Sequence, residues 1–247
     1  MKIGVFDSGI GGLTVVKSLL QHKLFEEIIY FGDTARVPYG IKDKNTIIRY
    51  AIEAVEFFKN FELDLIIVAC NTVSAYALDE MRESASCPIF GVVEAGALAT
   101  SNALEDTNKN ILIIGTNATI NSQAYEHKLK TLGFENLQAK ATGLFVPLVE
   151  EEIFDGEILE ATLKHYFHSL KNPDALILGC THFPLLQDAL QNYFGKETLL
   201  IHSGDAIVEY LEKEFDFTHN YETTALKFFA SENPEALKKV ASKWLKS

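Results

Sequence analysis

The chain has 247 residues, 47% of them hydrophobic, enough apolar material for one large α/β domain or two small ones. A formal net charge of −12 without any basic run argues against nucleic acid or an anionic membrane surface as the main partner. No apolar stretch approaches the roughly 18 residues of a spanning helix, and three widely separated cysteines are no disulfide framework, so a soluble protein of the reducing cytoplasm is expected.

Residues 3–6 read as a strand that starts almost at once, so neither leader nor anchor is expected. Further short apolar runs at 28–31, 65–69, 89–93, 111–114, 175–178 and 199–201 read as strands. Helical spacing over 13–20, 46–58, 156–170, 183–190 and 206–215 lies between or after them, and 104–110 reads as a polar loop. Strands alternating with helices predict an α/β fold with mostly parallel sheets flanked by helices.

Several landmarks recur at nearly the same displacement. Asp64-Leu-Ile-Ile-Val-Ala-Cys70-Asn71-Thr72 matches Asp174-Ala-Leu-Ile-Leu-Gly-Cys180-Thr181-His182. The strand before Asp7-Ser8 matches the one before Gly115-Thr116, Val37-Pro38-Tyr39 matches Val146-Pro147-Leu148, and the run into Gly96 matches the run into Gly204. Recurrence in the same order predicts two pseudosymmetric lobes with a cleft between them: 1–95 plus 207–247, and 96–206. The boundary falls near 94–97, and the tail returns to the first lobe.

Open α/β sheets bind ligands where strand ends meet helix starts. Asp7-Ser8-Gly9-Ile10-Gly11-Gly12 offers a carboxylate, a hydroxyl and accessible backbone N–H groups, or simply a tight turn with Asp7 as helix cap. It has neither the Lys of a phosphate loop nor dinucleotide-fingerprint spacing. Cys70 and Cys180 close equivalent buried strands. Each is either a small packed residue or a thiol whose pKa a helix N-terminus lowers. Cys87 has no counterpart and reads as structural. His182 stands where the first lobe has Thr72, and Asp7 is placed to serve Cys70. Glu150 either points into the same cleft or belongs to a solvated helix start, Glu150-Glu151-Glu152. No C-x-x-C or His-x₃-His spacing supports a metal, and a disulfide between Cys70 and Cys180 is a further use of the pair.

Four segments together, Phe6-Asp-Ser-Gly-Ile-Gly-Gly12, Gly32-Asp-Thr-Ala-Arg-Val-Pro-Tyr-Gly40, Ala69-Cys-Asn-Thr-Val-Ser-Ala75 and Leu178-Gly-Cys-Thr-His-Phe-Pro-Leu-Leu186, resemble the glutamate racemases of bacterial cell-wall synthesis. His182 favours that branch over the aspartate racemases, which typically carry an acidic residue there. The resemblance implies cofactor-independent interconversion of L- and D-glutamate for peptidoglycan, in a family that commonly forms homodimers. It implies Cys70 and Cys180 as the two acid–base thiols, assisted by Asp7, Glu150 and His182. Substrate binding then maps to Asp7, Ser8, Tyr39, Gly40, Asn71, Thr72, Thr116, Thr119, Thr181 and His182. The N-terminal extension that some members use for control by a cell-wall precursor is not expected. A two-lobe binding module and a racemase acting on aspartate or another small dicarboxylate are the alternatives.

Overall fold

The computed structural model describes residues 1–246. The chain runs β1 (Lys2–Asp7), α1 (Leu13–His22), β2 (Glu27–Gly32), α2 (Lys44–Phe58), β3 (Leu65–Val68), α3 (Asn71–Tyr76), α4 (Leu78–Ser84) and β4 (Ile89–Gly91). Helix α5 (Val92–Ala103) leads to β5 (Ile111–Gly115), α6 (Asn117–Ser122), α7 (Ala124–Thr131), β6 (Leu137–Ala141), α8 (Phe145–Glu150) and α9 (Gly156–Phe167). Then follow β7 (Ala175–Gly179), α10 (Gln187–Phe194), β8 (Leu199–Ile201), α11 (Ser203–Glu214), β9 (Ala225–Ala230) and α12 (Pro234–Trp244).

Two parallel sheets result, ordered β4-β3-β1-β2-β9 and β8-β7-β5-β6. Apart from the added edge strand β9, the orders are the same, so β1, β2, β3 and β4 correspond to β5, β6, β7 and β8. The repeat legible in the sequence is thus a repeat of topology, and the molecule is a two-lobe α/β protein.

Alternation along the strands divides the core. Ile3, Val5, Leu65 and Ile67 of the first sheet share one cluster with Leu112, Ile114, Leu176 and Leu178 of the second. The opposite faces pack separately, Phe6, Ile29, Ile66 and Val68 under α2, and Ile111, Ile113 and Ile177 with Tyr125 and Leu129 of α7. Because both sheets are covered on both faces, their central strands are continuous apolar runs, which is why those strands are readable in the sequence.

Two strands are not. β6 is an edge strand, Leu-Gln-Ala-Lys-Ala, whose side chains are half-buried or exposed, so it has no apolar run. β9 lies on the other sheet's edge beside β2, with only intermediate and exposed positions. The strand expected over 89–93 ends at Gly91, and Val92 already begins α5, with the Val93 N–H donating to Ser74 Oγ at 3.1 Å. Residues 94–97 lie inside that unbroken helix. The expected helix over 183–190 is a 3₁₀ turn, Phe183–Leu186, followed by α10. Among the described residues, no helix is long and apolar enough to cross a membrane.

Candidate active site

In each sheet the chain leaves the first strand toward one side and returns on the other, so a crevice opens between the carboxyl ends of β1 and β3, and likewise of β5 and β7. The first crevice holds Asp7, Ser8 and Cys70, and the second holds Thr116 and Cys180. Both open on one cavity of about 250 Å³. That is smaller than the roughly 300–1,000 Å³ of sites for drug-sized ligands, and suits a compact metabolite.

Of the residues singled out above, Ser8, Tyr39, Gly40, Cys70, Asn71, Thr72, Thr116, Glu150, Cys180, Thr181 and His182 line it. Asp7 and Thr119 stand behind the wall. Thr119 closes a triangle of hydroxyls with Thr72 and Thr116, at 2.9, 3.0 and 3.1 Å. The lining residues not anticipated are Val37, Pro38, Ile41, Asn117, Gly143, Val146 and Pro147. Their signal is present in the sequence, since the recurring Val-Pro pairs at 37–38 and 146–147 mark equivalent loops that meet at the cavity. The lining contains neither Lys nor Arg.

Cys70 is the residue before α3 and is 5% exposed, and its thiol donates to Ser8 Oγ at 3.4 Å. Burial, followed by the negative charge of Asp7, pushes the thiol up to about 12. The expected lowering by a helix N-terminus is therefore reversed, because desolvation of a thiolate outweighs the few N–H groups of a six-residue helix. Cys180 is close enough for its charge to add to that rise.

Asp7 is fully buried. It accepts hydrogen bonds from the Gly9 N–H at 3.0 Å and from Thr181 Oγ1, of the other lobe, at 3.3 Å. Burial raises its carboxyl above the usual range, against the lowering by His182 and by these bonds. It does not cap α1, whose preceding residue is Gly12 with no side-chain cap. Instead it braces the loop that carries Ser8, with Tyr30 holding the Gly9 carbonyl at 2.7 Å.

The second thiol has a different neighbour. His182 Nδ1 lies 3.7 Å from Cys180 Sγ, and Nε2 lies 3.2 Å from Glu150 Oε1. Burial alone would lower this imidazole, but the bonds to Cys180 and Glu150 and the charges of Cys180 and Asp7 raise it to about 10. Glu150 ends α8 rather than starting a helix, and it reaches the cavity from there. Tyr39 donates to the buried carboxylate of Asp33, which also receives Arg36 Nε at 2.6 Å, so the Tyr39-Gly40 rim is tied down. All three cysteines are free thiols. Among the described residues, no group of three or more His, Cys, Asp and Glu side chains is arranged to hold a metal ion.

Comparison with known proteins identifies the family. The family described as Asp/Glu/Hydantoin racemase matches residues 13–211. The glutamate racemase of a Nitratiruptor species is 64% identical over 246 residues, covering 100% of this chain and 97% of that protein. The crystal structure of glutamate racemase from Campylobacter jejuni subsp. jejuni gives a TM-score of 0.98 at 55% identity, covering 100% of this chain and 98% of that one. The enzyme of Francisella tularensis subsp. tularensis, solved in complex with D-glutamate, gives 0.87 at 36% identity, covering 100% and 94%. The chain belongs to the Asp/Glu/Hydantoin racemase family, as an isomerase that groups with the glutamate racemases.

Proposed function

We propose that this racemase interconverts L- and D-glutamate without a cofactor, by proton transfer between Cα and two thiols, Cys70 and Cys180. The observation that carries this is a single cavity lined by two sulfurs from equivalent strand-end loops, one from each lobe. Inversion requires a proton to leave one face of Cα and another to reach the opposite face, which two facing groups do without moving.

The unlike neighbours support a definite starting state. Cys180 has the cationic His182 3.7 Å from its sulfur, while burial keeps Cys70 a neutral thiol, so Cys180 is assigned as the first base. Cys180 takes the Cα proton, and the C–H electron pair passes into the α-carboxylate. Cys70 then gives its proton to the opposite face. The product leaves Cys180 as thiol and Cys70 as thiolate, which is the starting state for the reverse direction. Asp7, its basicity raised by burial, is the nearby acceptor that lets Cys70 exchange its proton, and Ser8 holds the sulfur.

Without Lys or Arg in the lining, the substrate carboxylates rest on hydroxyl, amide and backbone donors from Ser8, Gly40, Asn71, Thr72, Thr116 and Thr181. Tyr39 shapes the rim and Thr119 acts through its two threonine partners. Donors aimed at the α-carboxylate stabilise the carbanion-like transition state more than the ground state. We further propose a cytoplasmic homodimer that supplies D-glutamate for peptidoglycan. Free thiols suit a reducing compartment, and the family resemblance supports the rest.

Racemisation in D₂O from one enantiomer tests the chemistry. Deuterium is expected at Cα of the newly formed enantiomer, with the recovered substrate still protiated early in the reaction. Cys70→Ala and Cys180→Ala should each abolish racemisation in a folded protein. Undiminished turnover in either variant overturns the two-thiol mechanism.

A further inference from the structure

The residue after each cavity cysteine is tied to the opposite lobe. Thr181, following Cys180, donates to Asp7 Oδ1 at 3.3 Å, and its carbonyl accepts from Thr14 Oγ1 at 2.8 Å. Asn71, following Cys70, accepts from the Tyr125 hydroxyl at 2.7 Å through Oδ1, and its Nδ2 donates to Ser203 Oγ at 3.2 Å. Asn71 opens the helix after β3 of the first sheet, whereas Tyr125 stands on α7 after β5 of the second.

Tyr125 also presses on the other cysteine loop. A Cβ on Gly179, the residue before Cys180, would lie 3.3 Å from Tyr125 Cε2, and one on Gly96 of α5 would lie 3.1 Å from Cε1. The ring is 1% exposed, and burial raises the phenol, keeping it a donor. One side chain thus bonds the neighbour of one thiol and fills the space beside the neighbour of the other, yet it is absent from the cavity lining.

We propose that Tyr125 is a positioning residue that sets the separation of Cys70 and Cys180, through its hydroxyl on Asn71 and its ring on Gly179. The role rests on the two-thiol mechanism above. Without the hydroxyl, Asn71 Oδ1 keeps only Ser203 Oγ, at 3.4 Å, so the residue next to Cys70 loses its short tie to the second lobe and the loop is held there by the Thr72 hydroxyl contacts one residue further on. Proton transfer at carbon is sensitive to such a change, because a misplacement of about 1 Å can cost about 100-fold in rate.

The test is Tyr125→Phe in the full chain, with kcat, KM and the primary isotope effect measured on Cα-deuterated glutamate in both directions. We expect kcat to fall roughly tenfold, the isotope effect to rise, and KM to stay within about threefold. A residue that only supports the fold would lower the active fraction and leave the isotope effect unchanged. Ser203→Ala, which removes the other partner of Asn71, should give the same pattern at smaller amplitude and serves if Tyr125→Phe does not fold. A kcat within about twofold of the parent, or a lower kcat with an unchanged isotope effect, overturns the role. If both cysteines prove essential while Tyr125→Phe is unimpaired, only the positioning role fails. If either cysteine proves dispensable, the two-thiol mechanism itself fails.

Discussion

The imidazole of His182 lies 3.7 Å from the sulfur of Cys180, and this contact makes the near-symmetric cavity chemically one-sided. Thr72 occupies the matching place beside Cys70, so only the second thiol has a cation for a neighbour. His182 holds its proton up to about 10, so the cation stands beside Cys180 and not beside Cys70.

On the two-thiol mechanism proposed above, His182→Asn should therefore lower kcat more in the direction in which Cys180 is the base than in the reverse. A loss of roughly 100-fold in kcat is expected, within the usual range for removing an assisting acid–base group. In the parent, kcat/KM, which the unit equilibrium constant of a racemisation makes equal in both directions, should fall as pH rises through about 10, where the imidazolium is lost. Glu150→Gln should move this fall to lower pH, because Glu150 is one of the groups that raise His182. Initial rates from each enantiomer, followed by optical rotation across pH, measure both effects. An equal loss of kcat in both directions would show that His182 does not distinguish the thiols.

The same buried protons predict a loss of stability in alkali. His182 is raised from 6.5 to about 10, so it binds its proton more tightly folded than unfolded, and its contribution is complete below 6.5 and lost as pH passes 10. Cys70, raised from 9.0 to about 12, contributes fully below 9.0 and loses that contribution on the way to 12. Asp7 has the same sign from 3.8 upward. Urea midpoints from about pH 7 to 10 should fall for the parent and fall less for His182→Asn. Parallel curves for the two proteins would remove His182 from the account.

Much of this is legible in the sequence. The central strands are buried on both faces and so are written as apolar runs, and the duplicated landmarks mark duplicated strand ends. The cysteines, Ser8, Thr72 and Thr181 fall at those ends and meet at the cavity. What the sequence hides has physical causes. The edge strands β6 and β9 have few buried positions because one flank faces solvent. The direction of the Cys70 shift depends on burial, which a loop position does not reveal. Tyr125 and Ser203 do not stand out because their partner, Asn71, is more than 50 positions away from either, and only the packing of α7 and α11 brings them together.

Gly11 offers a test of how closely the first lobe's loop meets the second thiol's helper. A Cβ there would overlap the Thr181 hydroxyl and lie 2.6 Å from His182 Nδ1. Either the loop or the imidazole must shift, and the His182 contact with Cys180 is the one exposed to the change. Gly11→Ala should fold, yet lose about 100-fold in kcat, as displaced catalytic groups do. Activity within a few-fold of the parent would mean that the loop yields without moving His182.

Thr116 separates binding from chemistry. Its hydroxyl lines the cavity and joins Thr72 and Thr119, and it also receives the Thr119 N–H at 3.2 Å as the cap of α6. Thr116→Val keeps the shape and removes that hydroxyl, leaving Thr72 and Thr119 joined at 3.1 Å. Neither sulfur is touched, so the change should fall on glutamate binding rather than on proton transfer. A loss of about 1.5–3 kcal/mol for one hydrogen bond to a charged group corresponds to a KM higher by roughly 10- to 150-fold, with kcat reduced far less. Part of the stability loss comes from the missing cap, at about 1 kcal/mol, and shows in the thermal midpoint without altering KM. A variant with unchanged KM and lowered kcat would instead place Thr116 among the groups that act on the transition state alone.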